Sequence, residues 1–307
     1  YNTLGYAYKV NGKYKEAEEA FKKYMELAPN LSNPVDSYAE LLMKMGRFDE
    51  SIVHYQKAME KDSAFVTPLR GIGLNYLHKG DFTKAREYFE KYFATSQQVN
   101  GKTDALSNLL FSYLHQWDME GAMKAADRHL AFAEKEKIPG SVVANHFNRA
   151  FISAENGKLD EAAAHLNHAR TANESFALTP AAKGTNGVNM GLFEAELLAR
   201  KKDFAGAARQ LEQIKALIDK RGSAFETKNY HTSTGYVELM QGNNDKALEM
   251  FQKGNPDNPL NIFRMAMAYE KKGDKANAKK SYQAVVDWNW TGFSYAITRP
   301  QATKKAM

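Results

Sequence analysis

The sequence has no cysteine in its 307 residues. That excludes disulfides, thiolate metal sites and a cysteine nucleophile, and it favours an exported or periplasmic bacterial protein over a cytoplasmic one. Proline is scarce, with 8 residues, and those present fall mostly between repeating units, so little interrupts helices. No apolar run reaches the roughly 20 residues that a transmembrane helix needs. There is no block of like charge either. The net charge is +6, but lysines and carboxylates are mixed along the chain, which describes a solvated helical surface better than a polyanion site. Catalytic signatures are missing too: there is no Gly-x-Ser-x-Gly elbow, no phosphate-cradling glycine loop and no His-Glu-x-x-His. No enzyme activity and no cofactor are expected. The chain opens at Tyr1 without an initiator methionine, inside the first helix of a repeat, and is read as a fragment or a processed chain.

What the sequence does contain is a repeat. Gly12, Gly46 and Gly80 stand 34 residues apart. Leu4-Gly5-x-x-Tyr8 aligns with Ile72-Gly73-x-x-Tyr76, and Ala17-x-x-x-Phe21 with Ala85-x-x-x-Phe89. Spacings of three and four place these side chains on single helical faces, so each unit reads as two helices joined by a short turn. Small residues let two helix backbones approach, and large neighbours fill the groove beside them. The glycine in the turn supplies the left-handed conformation that ends the first helix. Small residues near the start of each second helix, Ala17, Ser51, Ala85, Ala122, Ala162, Ala207, Ala247 and Ala278, mark eight units.

The Leu-Gly-x-x-Tyr, Ala-x-x-x-Phe and Pro29 series resembles the tetratricopeptide repeat. The resemblance implies an all-α fold: a right-handed α-solenoid, or superhelix, of about eight helix-turn-helix repeats whose concave groove binds peptides or proteins. The repeat array is expected over 1–286, regular over 1–98 and with longer inter-repeat segments over 99–286. A capping segment and tail are expected over 287–307, with Trp288–Ala302 covering the last apolar face. Ser153 and Glu238 depart from the pattern, standing where the first helix carries an aromatic residue, and Gly254 stands where an apolar residue should pack, so units five and seven are expected to pack less tightly. The extra length is assigned partly to longer second helices and partly to loops at Ser96–Thr103, Ile138–Ser141, Phe176–Gly187 and Arg221–Thr227, with Ala177–Gly187 the longest candidate for a mobile loop.

In a repeat of this kind the first helices line the groove. The register then places Tyr6, Arg70, Phe111, Phe147, Phe151, Glu196, Tyr236, Phe263 and Met267 in a partner-binding groove, more apolar than a solvated surface requires. The basic and asparagine residues with which some family members clamp a terminal carboxylate are not found together. His165 and His168 lie three apart on the outward side of a second helix, one turn after Glu161. That spacing suits two metal ligands, but no third ligand is evident and no metal is expected. The reading is a non-catalytic protein–protein interaction scaffold, part of a larger protein or assembly, whose partner is a protein or peptide rather than nucleic acid. The alternative is a solenoid that binds a polyanion, nucleic acid or an acidic glycan; an enzyme with a site under the 176–187 loop has the least support.

Overall fold

The structure, a computed structural model, describes residues 1–307. It contains 17 helices and no strand. The first sixteen run as eight successive pairs, α1 (Asn2–Val10), α2 (Tyr14–Leu27), α3 (Asn33–Lys44), α4 (Phe48–Lys61), α5 (Thr67–Lys79), α6 (Phe82–Thr95), α7 (Val99–His115), α8 (Met119–Lys135), α9 (Pro139–Glu155), α10 (Leu159–Ser175), α11 (Pro180–Arg200), α12 (Phe204–Arg221), α13 (Ala224–Gln241), α14 (Asn244–Lys253), α15 (Pro259–Lys271) and α16 (Lys275–Val286). A last helix, α17 (Phe293–Ala306), follows. No helix is long and apolar enough to cross a membrane.

The turns carry the periodicity. Gly12, Gly46, Gly80, Gly157, Gly242 and Gly273 all adopt φ between 71° and 89°. The amide after each glycine reaches back to close the first helix, as Asp81 N does to the Tyr76 carbonyl at 2.9 Å. This is the geometry with which a left-handed residue ends a helix. In the fourth and sixth units the same position is held by Trp117 and Lys202, at φ 60° and 65°. The turn shape is thus retained where the glycine is not, at the steric cost a side chain brings to that region.

The paired small and aromatic residues explain how the helices approach. A Cβ placed on Gly73 would lie 2.5 Å from the Phe89 ring, and one on Gly235 would lie 2.7 Å from the Phe251 ring. Phe21, Phe89 and Phe251 are fully enclosed. In these repeats the second-helix aromatic is therefore buried against a bare stretch of its own first helix.

The chain divides into two compact units, residues 1–116 with 287–292, and residues 117–286 with 293–307. In the first, α1 to α7 stack in sequence, and the odd-numbered helices also touch one another. In the second, α8 to α16 stack in the same way, and α17 packs along α15 and α16. The expected cap therefore divides. Phe293–Ala306 lies on the last repeat, while Trp288 and Trp290 lie against Lys44 and Lys9 of the first unit.

Two expectations are corrected. Of the segment 177–187 only Ala177, Leu178 and Thr179 form a loop: helix α11 starts at Pro180, behind the Thr179 side chain, which accepts a hydrogen bond from the Ala182 amide. Proline at a first helical position and a capping threonine are a strong start signal, and Arg221 holds the first turns of α11 through Thr185 at 2.9 Å. The added length extends second helices as expected, α8, α10 and α12 to 17–18 residues, but it also lengthens the first helices α7, α9, α11 and α13 to 17–21 residues, leaving shorter loops between units. Units five and seven are not left loose at their polar substitutions. Ser153 donates to Glu161 at 3.0 Å, and Glu238 accepts from Asn243 at 2.8 Å and pairs with Lys246 at 2.6 Å.

Candidate functional site

Six of the nine groove residues named from sequence converge in the second unit. Phe147, Phe151 and Glu196 line a cavity of about 170 Å³, and Tyr236, Phe263 and Met267 line one of about 90 Å³. Leu260 and Arg264 belong to the walls of both. The helices that supply these side chains are α9, α11, α13 and α15, the first helices of four repeats, as the register predicts. Phe151 stacks on Phe193 with ring centres 4.5 Å apart, and Phe147 meets the same ring edge-on at 5.4 Å.

This face is already partly covered. Phe293 meets Phe151 edge-on at 5.6 Å. Ile297, Thr298 and Gln301 wall the smaller cavity, and Ser294 the larger. Phe151, Tyr236 and Phe263 are consequently buried. The repeat register puts these aromatics on the groove face but does not put the chain's own last helix against them, because that helix has no register to align.

Between the two cavities lies a charge network of which the sequence signals only Glu196. Arg264 holds the Glu196 carboxylate with two parallel hydrogen bonds of 2.8 and 2.5 Å, and Ser233 donates to it at 2.7 Å. Both members of the pair are almost wholly enclosed, at 3% and 5% side-chain exposure. Arg264 also lies 4.2 Å from the Tyr236 ring centre, with Arg200 at 5.3 Å from the same ring. Burial pushes the Tyr236 phenol above its ordinary value. Arg200 is held in turn by Glu155 and by the Ala154 carbonyl. A lone carboxylate at a groove position is the available sign that a cation must face it.

In the first unit, Tyr6 and Arg70 lie on the corresponding face. Tyr6 donates to Glu40 at 3.1 Å, and Lys9 pairs with the same carboxylate. Arg70 lines a cavity of about 150 Å³ with Asp36, Glu40, Trp290 and Thr291. Phe111 lies on α7, half-buried, and lines none of these cavities.

The residues 287–292 carry no helix and run across this face. Lys9 sits 4.9 Å from the Trp290 ring and Lys44 4.7 Å from the Trp288 ring. Lys44 also donates to the Trp288 carbonyl, and Thr291 donates to Asn108 at 3.2 Å. Side chains of α1, α3 and α7 thereby hold the segment through two cation–π contacts and two hydrogen bonds.

Beside this segment, Asp36 is raised to about 7 by burial, with Glu40 adding to the shift and Arg70 opposing it. One Asp36 oxygen and the Arg70 Nε are buried without a hydrogen-bond partner. In the unfolded chain an aspartate titrates near 4. The folded state therefore keeps a proton that the unfolded state loses, and stability falls as pH rises from about 4 to about 7. D36N should remove that slope. Its melting temperature is expected to gain on the wild type steadily between about pH 5 and pH 7, and parallel pH profiles would show that Asp36 ionises freely.

His165 and His168, which the sequence leaves without a third ligand, are joined by His146 from α9. Their ligand nitrogens lie within 4.8 Å of one another. His165 does not point outward as the helical register suggests. It is buried, with His168 exposed beside it. Burial lowers His146 to about 4, with Arg149 adding to the shift, and lowers His165 in the same way.

Comparisons with known proteins agree with this architecture. Tetratricopeptide repeat family models match residues 1–31, 39–99 and 261–289. Superkiller complex protein 3 of Mus musculus is 31% identical over 120 residues, and that of Homo sapiens 29% over 119. Each match covers 36% of this chain, which spans only 8% of either relative. Among solved structures, a tetratricopeptide repeat protein from Parabacteroides merdae superposes with a TM-score of 0.54 at 17% identity, covering 90% of this chain and 95% of that one. Aspartyl phosphate phosphatase F from Bacillus subtilis gives 0.57 at 12% identity, covering 91% and 76%. At such identities the likeness is one of fold. With eight helix pairs, their left-handed turns and the family matches at the front and the back of the array, the chain belongs to the tetratricopeptide repeat family.

Proposed function

We propose that the chain is a non-catalytic scaffold that binds an extended, aromatic-containing peptide or protein segment on the first-helix face of its repeats. The observation that carries the reading is the chain's own segment 287–292, which lies across that face in the first unit. Lys9 and Lys44 stand over its tryptophan rings, and Lys44 donates to a main-chain carbonyl. A partner segment with the same elements would meet the same groups in place of this one, a mode in which backbone contacts give affinity and side-chain pockets give selectivity. The tetratricopeptide repeat fold supports a protein or peptide as partner. The matched relatives are named as members of a complex, and this chain is proposed to act likewise within a larger protein or assembly.

A polyanion-binding surface has less support. Lys9 pairs with Glu40, Arg200 with Glu155 and Arg264 with Glu196, so basic side chains on these faces already meet carboxylates.

The test uses a peptide selected from a random display library against the whole chain, with affinity read by fluorescence anisotropy. The W288A/W290A variant keeps α17 and releases the internal competitor, and is expected to bind about tenfold more tightly, a difference of about 1.4 kcal/mol. K9A/K44A is expected to bind about tenfold more weakly. Equal affinities for all three proteins, each shown by circular dichroism to be folded, would overturn the assignment of this face.

A further inference from the structure

The histidines of the fifth repeat lie apart from the face described above and take no part in the proposed binding. His165 and His168 sit three residues apart on α10, hence on one side of the helix. His146 reaches them from α9, with its ring centre 5.5 Å from that of His168; the His165 and His168 rings are 6.1 Å apart. All three offer a ligand nitrogen within 4.8 Å of the other two. The Nδ1 atoms of His146 and His165 are buried and have no hydrogen-bond partner. Leaving buried polar atoms unsatisfied is costly and calls for an explanation.

We infer that His146, His165 and His168 form a three-histidine site for a divalent transition metal of the zinc class, with a fourth coordination position open to water. Imidazole is a donor suited to zinc, copper and nickel, whereas calcium and magnesium require oxygen ligands. Three histidines and an open position form a known donor set for zinc. Bonds of about 2.0–2.1 Å in a tetrahedral arrangement bring the nitrogens to about 3.3 Å from one another. Small shifts of the three rings supply the closure, and the exposure of His168 supplies the path of entry.

The surroundings fit. Glu161 lies 3.8 Å from the Nε2 of His165, leaving the buried Nδ1 of that ring for the metal. A carboxylate behind a ligating histidine fixes the ring and raises its basicity. Glu161 is itself held by Ser153 at 3.0 Å and Lys158 at 3.2 Å. Arg149, close to His146 along α9, is the opposing charge, and Asp127 at 3.2 Å neutralises it. Ser153 stands where the repeat pattern expects an aromatic residue. The fifth repeat thus exchanges an apolar contact for a polar one that holds the carboxylate behind the histidines.

The test uses the full chain purified without a histidine tag and freed of metal with a chelator. Titration with zinc, followed by calorimetry and elemental analysis, should show saturable uptake of one ion per chain. Cobalt at the same site should show the visible absorption of a four-coordinate ion. H146A, H165A and H168A should each weaken zinc binding by at least about tenfold. H168A alters an exposed residue, so its metal-free melting temperature should match the wild type while losing the increase that zinc gives the wild type. Failure to saturate, or wild-type affinity in any one of the three variants, would overturn the site.

Discussion

E196A is expected to lose about 3–5 kcal/mol of stability, because it leaves the Arg264 guanidinium enclosed without its counter-charge. Glu196 and Arg264 are joined by two hydrogen bonds, and both side chains are almost fully buried. A charge in such a place forfeits water and recovers interaction only from its partner. The intact pair is a weak source of net stability for the same reason, so replacing both members with apolar residues should cost far less than removing one. E196L/R264M is the informative comparison, expected to lie within about 2 kcal/mol of the wild type. Urea unfolding of the three proteins, with hydrogen exchange over α11–α15 to confirm where the loss falls, decides the matter. A loss below about 1 kcal/mol in E196A would mean that water reaches Arg264. Glu196 also lines the larger cavity, so a partner bound there should respond to the same variant.

The second large effect is expected at the repeat's own packing. F89A should lose about 3–5 kcal/mol, the usual range for removing an enclosed phenylalanine. The ring has no exposed surface, and the Gly73 backbone against it carries no side chain that could move into the space. G73A should be destabilising for the opposite reason, because its new methyl group would stand 2.5 Å from the Phe89 ring and 3.2 Å from the Ala85 carbonyl. Overpacking of this kind costs about 1–3 kcal/mol. In the double variant G73A/F89A the methyl group enters the space that the ring vacated. Its loss should therefore be smaller than the sum of the two single losses, with a coupling of about 1 kcal/mol or more. Strict additivity in denaturant unfolding would show that the two positions do not share one packing site.

Gly73 and Phe89 also show why so much of the fold is legible in the sequence. They lie within one repeat, and each repeat packs chiefly on itself and its neighbours. The spacing of Gly, Ala and aromatic residues therefore encodes both the helix pair and the face it buries. The first-helix face is readable by the same logic. Register alone places Phe147, Phe151, Glu196, Tyr236, Phe263 and Met267 on it, and the structure gathers them around two cavities. The segment 177–187 reads wrongly as a loop because its glycines weaken a helix only modestly. What settles its state is Arg221, which lies against Gly184 and binds Thr185 and Glu226. That contact joins α12 to the starts of α11 and α13, and no spacing within α11 announces it.

The helix pairs, their left-handed turns and the first-helix side chains that share a face in the second unit can be read from the residues, since they follow from interactions one turn or one repeat apart. Three contacts cannot: Arg264 meets Glu196 across 68 residues, His146 joins His165 and His168, and Trp288 and Trp290 return to Lys44 and Lys9. Glu196 and Arg264 stand in different repeats, Trp288 and Trp290 lie beyond the last one, and the histidines, though in one repeat, sit on different helices at positions the repeat pattern does not specify, so only the path of the folded chain brings the partners together.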